Sequence, residues 1–319
     1  MIERTLIEEA AARIAPYVLR TPVKPAQVLS ERVGGEVLLK LEQLQPTGSF
    51  KIRGATNKLL TLPHTALDDG VVAASTGNHG AAVARAARLL DGHAIVYVPE
   101  NASPYKLAPI SEDGAEIRYV GHDGVEAEIE ARRFADEQTL EYVSPYNDVA
   151  VIVGQGTIGL ELSQQVPGLE AVYVSVGGGG LISGVASYLK SKNPRIEIIA
   201  CSPENSAVMH HSIQAGTILD LKSTPTLSDG TAGGIEHDTL TFDICRRVVD
   251  RWVLVPEPAI AEALKLAIER LNIKVEGSAA LAIAGLIQDR AHAAGKRIAA
   301  IMCGGNISDD LLNSVLTPR

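Results

Sequence analysis

The sequence predicts an α/β protein built on parallel sheets that are covered on both faces. Two observations carry this. From about residue 70 onward, short apolar runs without polar alternation recur, and helical patterns separate them. Segments rich in glycine and hydroxyl residues directly follow several of those runs, where the strand of a βα unit hands over to what comes next.

The elements follow in order. MIERTLIEEAAARIAPYV reads as an amphipathic helix, with Leu6, Ala10, Ile14 and Val18 at helical spacing. Gly70–Ser75 (GVVAAS) is an apolar strand and Ala81–Leu90 (AAVARAARLL) a helix; His93–Val98 (HAIVYV) is a second strand, closed by the proline-bounded turn PENASP. Ala171–Val176, Ile196–Cys201 and Arg297–Cys303 are further strands, and helices over Ile260–Leu271 and Ala279–Arg290 lie between the last two. The loop TLPHTALDDG (61–70) and the turn VSPYND (143–148) are the candidate domain junctions. They would set a large unit of residues 1–69 and 147–319 around an inserted unit of residues 70–146.

Composition narrows the functional classes. The chain has 319 residues, 46% of them apolar, which is enough for a sizeable core. Its 29 basic and 38 acidic residues leave a formal charge of −9, with no basic run, so no nucleic-acid partner is expected. The longest apolar candidate, around Ala279–Ile287, is too short to span a membrane, and the acidic N-terminus does not resemble a signal peptide. A soluble cytoplasmic protein with no membrane partner is the expectation. Cys201, Cys245 and Cys303 are far apart and suggest neither a disulfide framework nor a zinc site.

Three loops could carry chemistry. VSVGGGGLISG runs a buried strand into Gly177, Gly178, Gly179 and Gly180 and then into a helix, so successive backbone N–H groups can converge on a phosphate. No Lys-Ser/Thr follows, which excludes a Walker loop. Ser75, Thr76, Gly77, Asn78 and His79 lie between a strand and a helix and suit a carboxylate or another oxygen-rich ligand, although the same residues also cap helices. Cys303-Gly304-Gly305-Asn306 follows the last strand. All three sit at carboxyl ends of strands, where open α/β sheets bind ligands. A fourth glycine motif, Gly154 to Gly159, matches G-x-G-x-x-G after the strand-like AVIV. The next strand ends without the acid that a dinucleotide ribose needs, so the motif reads as a glycine-rich helix start packed on the sheet. Lastly, TGSFKIRGA sets Lys51 among small and apolar residues, which is unusual for a solvated lysine.

LEQLQPTGSFKIRGA, STGNHG, AVIVGQGTIGLEL, SVGGGGLISG, VEGSAALA and CGGNIS stand in one order over residues 20 to 308. In this the chain resembles the fold-type II pyridoxal-phosphate (PLP) enzymes, specifically the serine/threonine dehydratase and serine racemase family. A narrower likeness, through STGNHG and LSDGTAGGIE, is to the hydroxyectoine-utilisation dehydratases. The resemblance implies two open parallel-sheet domains like those of the tryptophan synthase β chain, with pyridoxal 5′-phosphate in the cleft between them. It makes Lys51 the Schiff-base lysine, and apolar neighbours suit that role because they disfavour the ammonium form. It implies that Gly177 to Gly180 hold the phosphate, Phe50 packs on the ring and Asn78 bonds the phenolic oxygen. Cys303 would lie by the pyridine nitrogen, and Ser75, Thr76, Gly77, Asn78 and His79 would hold the substrate carboxylate. A thiol is a weak, neutral partner for that nitrogen, which biases the cofactor toward prompt β-elimination.

The implied activity is an ammonia-lyase acting on a small β-hydroxy amino acid such as serine, threonine or 3-hydroxyaspartate, or on a hydroxyectoine-derived one. A racemase is the alternative, with Thr76 standing where the racemase has its opposite-face serine. An oxidoreductase built on Gly154 to Gly159 and a non-catalytic binding protein are the readings from other classes. Ser202 and Val208 stand where the racemase places acidic metal ligands, so no metal site is expected; Glu204, His210 and His211 read as surface or loop residues. Glu276 and Tyr146 are each divided between a pocket role and a structural one. No segment follows Arg319 for the regulatory domain of biosynthetic threonine dehydratases, so that feedback control is not expected. A homodimer is the default assembly.

Overall fold

The computed structural model describes residues 1–316; residues 317–319, and with them the Arg319 end of the chain, lie outside the described residues. Its strands are β1 (Val23–Pro25), β2 (Glu36–Lys40), β3 (Val71–Ala74), β4 (Ala94–Val98), β5 (Glu116–Tyr119), β6 (Glu141–Tyr142), β7 (Ala171–Ser175), β8 (Glu197–Pro203), β9 (Arg251–Val255) and β10 (Arg297–Ile301). They form two sheets. The larger runs β1-β2-β10-β7-β8-β9 and the smaller β5-β4-β3-β6. Every pairing is parallel except the β1–β2 edge, which is antiparallel.

The apolar runs take these places because a strand covered on both faces needs no polar alternation. β7 is buried at every residue, and its neighbour β10 pairs Ile298 with Ala171 and Ala300 with Tyr173. The helix Gly277–Gln288 supplies one cover, with Ala279 through Leu286 buried in the main core. The smaller sheet has its own clusters, in which Ile52, Ala55 and Leu59 of the helix Lys51–Leu60 join Val71, Ala73 and Val83. That helix therefore lies where the two sheets meet. Among the described residues no helix is long and apolar enough to cross a membrane.

Several expectations are corrected. AVIV is not strand-like: it begins the helix Val149–Gln165, and Gly154 to Gly159 lie within that helix rather than at its start. These glycines let neighbouring helices approach. A Cβ on Gly154 would lie 2.6 Å from the Arg53 carbonyl oxygen, and one on Gly159 would lie 2.7 Å from that of Val185. The motif serves packing, and no dinucleotide reading survives. In the N-terminal helix Arg4–Ile14 the buried residues are Ile7, Ala10 and Ile14; Ala10 and Ile14 face inward as expected, Ile7 takes the place of the exposed Leu6, and Val18 lies beyond the helix. Segment 61–70 contains a short helix, His64–Asp69, with Leu67 buried. His210 and His211 lie on the helix Val208–Ala215, not in a loop. Ser202 is buried and donates to the Val176 carbonyl at 3.1 Å, and Val208 belongs to the main core.

Candidate active site

Lys51 opens the helix Lys51–Leu60. The loop before it is stitched to the loop after β10: Ser49 bridges Gly304, the Phe50 N–H donates to the Cys303 carbonyl at 2.9 Å, and the Gly305 N–H donates to Gly48 at 2.9 Å. On the other side, Arg53 grips the buried Glu42 carboxylate with two bonds of 2.8 Å and Glu161 with one of 2.7 Å. A guanidinium forked onto a carboxylate fixes direction as well as distance, so both ends of the lysine loop are held. The Lys51 amine donates to the Pro145 carbonyl at 2.9 Å, and the Phe50 ring centre lies 5.3 Å from it. Burial pushes the Lys51 ammonium down to about 8, with the nearby Glu276 carboxyl pulling the other way.

The glycine loop is a backbone cradle. Gly179 has φ +84°, which favours glycine, and caps the helix Gly180–Lys192; Gly177 and Gly178 are partly exposed. A Cβ on Gly177 would lie 2.7 Å from the Thr231 carbonyl oxygen, and one on Gly178 would meet the Tyr146 ring at 2.4 Å. The first N–H groups of a helix have no partner within it, and here they open beside a loop without side chains.

The helix Asn78–Leu89 starts directly after Ser75, Thr76 and Gly77. The His79 ring is buried and bonds the Val143 carbonyl at 2.7 Å through Nε2. A carbonyl only accepts, so Nε2 carries the proton and Nδ1 is a bare acceptor. Burial pushes the imidazole down to about 3, which keeps it neutral. The His79 ring therefore offers no donor to a carboxylate, and only its backbone N–H can. Asn78 is held at both ends: its amide nitrogen donates to Glu276 at 2.9 and 3.0 Å, and its oxygen accepts from the Asn306 side chain at 2.7 Å. This fixes which end of the amide is the donor.

Glu276 is buried and also accepts from the Asn306 backbone N–H at 3.2 Å. Burial raises its carboxyl to about 7 despite the Asn78 bond. Between the usual carboxylate value and 7 the folded chain thus binds a proton that the unfolded chain has lost. This stabilising contribution is complete at low pH and fades as pH rises through 7. Glu276→Gln should abolish that dependence, worth up to about 3 kcal/mol. Urea unfolding of both proteins at pH 5 and pH 7.5 measures it, and parallel slopes would show that Glu276 does not titrate in this range. Cys303 is buried, and burial pushes its thiol well above its ordinary value, so it is neutral.

Lys51, Phe50, Asn78, Cys303 and the loops 75–79 and 177–180 thus gather at the carboxyl ends of β3, β7 and β10. Thr76 lies in the same loop as Asn78 and is half-buried. Glu276 and Tyr146, ambiguous in sequence, both join the site. Asn306 and Pro145 carry no local signal of their contacts; the stretches CGGNIS and VSPYND were the only pointers to them.

The model of the family described as pyridoxal-phosphate dependent enzymes matches residues 14–304. The L-threonine ammonia-lyase of Thermotoga maritima is 39% identical over 316 residues, which cover 99% of this chain and 78% of the relative. A serine racemase of Oryza sativa subsp. indica is 38% identical over 318 residues, covering 98% and 93%. Maize serine racemase superposes with a TM-score of 0.93 at 37% identity, covering 98% of this chain and 96% of the other. The match spans both sheets and all three loops, and the chain belongs to the pyridoxal-phosphate-dependent enzyme family.

Proposed function

We propose that the protein is a PLP-dependent ammonia-lyase that converts a small β-hydroxy amino acid, such as serine, threonine or 3-hydroxyaspartate, into a 2-oxo acid and ammonia. The observation that carries this reading is the backbone tie of the Lys51 loop to the Cys303 loop, the Phe50 N–H donating to the Cys303 carbonyl at 2.9 Å, with the Lys51 ammonium pushed down to about 8 and the Cys303 thiol neutral. The residues present fit the cofactor. The glycine cradle leaves no space that a Cβ could take without clashing, and the hydroxyls of Thr47, Ser49 and Ser278 are buried with no partner, ready for a polar ligand. When bound, the cofactor supplies the electron sink that makes the substrate Cα–H acidic.

The chain supplies the rest. Lys51 Nζ would anchor the cofactor and, when not so engaged, would take the proton from the substrate Cα; its lowered pKa leaves a usable neutral fraction near pH 7. Gly177, Gly178, Gly179 and Gly180 would hold the phosphate, and Phe50 would lie against the ring. Asn78, its amide oriented by Glu276 and Asn306, donates to the phenolic oxygen. The neutral Cys303 would give the cofactor's ring nitrogen no charged partner, and the electron sink so supplied would favour loss of the β-hydroxyl. The substrate carboxylate is taken by Ser75, Thr76, Gly77 and Asn78 and by the backbone N–H of His79. We take the units to be residues 1–69 with 147–319 and residues 70–146, and the enzyme to be a cytoplasmic homodimer; light scattering checks the assembly.

A panel of β-hydroxy amino acids, including hydroxyectoine-derived ones, assayed for ammonia and oxo acid tests the reading. L-Serine or L-threonine is expected to give oxo acid faster than its D enantiomer, and turnover of D-serine alone would reject it. A racemase is the second reading, favoured by the Thr76 hydroxyl beside Asn78 and by the racemases among the relatives. Accumulation of the opposite enantiomer faster than oxo acid would establish it.

A further inference from the structure

The turn 143–147 touches three parts of the site. The Val143 carbonyl takes the His79 ring at 2.7 Å, the Pro145 carbonyl takes the Lys51 amine at 2.9 Å, the Tyr146 ring crowds the place of a Cβ on Gly178, and the Tyr146 Cα and Cβ lie 3.0 Å from that of one on Gly180. A turn has few backbone bonds of its own, so its peptide planes keep their direction only if side chains tether them. Here one residue supplies several tethers. The Glu236 carboxylate accepts from Asn147 Nδ2 at 2.7 Å and lies 3.5 Å from Ser144 Oγ, while its backbone N–H donates to the Tyr146 hydroxyl at 3.0 Å. Ser144 Oγ in turn accepts from the Asn147 N–H at 3.0 Å. Glu236 also pairs with Arg132 at 2.9 Å, on the helix Gly124–Gln138 that packs against the smaller sheet. Arg132 is shared with Glu128 at 2.9 Å and stacks on Tyr142 at 4.2 Å.

We propose that Glu236 is a positioning residue for Lys51. It fixes the 144–147 turn so that the Pro145 carbonyl holds the free Lys51 amine on one heading and the Tyr146 ring braces the glycine loop. Through Arg132 it ties that arrangement to the smaller sheet. Only a carboxylate suits the place. The side chains of Asn147, Arg132 and Ser144 all present donors, and a glutamine would set its own N–H2 against one of them.

The inference rests on the reading of Lys51 as the reacting amine, and its main readout is independent of turnover. In the full-length chain stripped of cofactor, competitive acylation followed by peptide mass spectrometry reports the pH midpoint of Lys51 itself. Glu236→Ala should shift that midpoint by about half a unit or more, because the amine loses both the Pro145 carbonyl and the enclosure that set it. In the holoenzyme, kcat should fall on the order of tenfold with KM little changed. Glu236→Gln should behave similarly, and Glu236→Asp should recover part of both. A wild-type midpoint in Glu236→Ala overturns the proposal even if activity drops, since a merely structural loss would leave Lys51 unmoved. If that variant does not fold, Arg132→Ala carries the test: a midpoint shifted the same way supports the coupling, and a wild-type profile overturns it. Retained turnover in Lys51→Ala would instead reject the functional reading, whatever Glu236 does.

Discussion

Lys51→Ala is expected to lower kcat/KM by more than about 10³-fold, because in the proposed mechanism one amine serves both as the covalent anchor and as the base at Cα. Borohydride reduction should fix the cofactor to the peptide carrying residue 51 in the wild type and to no peptide in the variant. The loss should not be one of folding. Burial lowers the Lys51 ammonium to about 8, so at neutral pH the folded chain holds a charge that its surroundings disfavour. The sign follows directly: between 8 and the ordinary lysine value the folded state binds fewer protons than the unfolded one, and stability contributed by this group rises with pH across that window. Lys51→Met, which keeps the bulk and removes the charge, should be at least as stable as the wild type at pH 7 and should lose that rise. Full activity in Lys51→Ala, or wild-type pH dependence of unfolding in Lys51→Met, would remove the lysine from the centre of the chemistry.

Gly178→Ala is expected to weaken cofactor binding by about tenfold or more, through an overpacking cost of roughly 1–3 kcal/mol. The added Cβ would lie 2.4 to 2.7 Å from three atoms of the Tyr146 ring. That ring has little freedom to yield. Its hydroxyl is bonded by the Glu236 N–H at 3.0 Å, and its Cβ already lies 3.0 Å from where a Cβ on Gly180 would be. The substitution must therefore displace the glycine loop or the turn that supports Lys51. Spectroscopic titration of the stripped protein with pyridoxal 5′-phosphate measures the loss. Combined with Tyr146→Ala, the double variant should lose less than the sum of the singles, because removing the ring frees the space that the methyl needs. Strict additivity, or wild-type affinity in Gly178→Ala, would mean that the loop does not depend on this contact.

Much of the architecture was readable in the chain because its signals are local. The run AVYVS has no polar alternation and becomes a central strand buried at every residue. Four successive glycines become a helix start with one residue in the left-handed region, as the anion-loop argument requires. Five strands escaped notice: β1 and β6 have only three and two residues, β5 and β9 lie at sheet edges where burial is partial, and β2, buried at four of its five residues, precedes the stretch in which strands and helices alternate. The G-x-G-x-x-G spacing misled for a related reason. Glycine marks close backbone approach, and spacing alone does not say whether a phosphate or another helix is approaching.

The sequence by itself determined that the chain forms parallel α/β sheets, that three loops rich in glycine and polar residues follow its strands, and that Lys51 stands apart from ordinary surface lysines. Each of these depends on the residues immediately around it. Only the tertiary structure decided that Glu276 meets Asn78 across 198 residues of chain, that Asn306 meets it across 228, and that Glu236 reaches Asn147 across 89. These contacts have no period and no local propensity. They exist because parallel strands bring their carboxyl ends to one side, so loops distant in sequence must satisfy one another's polar groups.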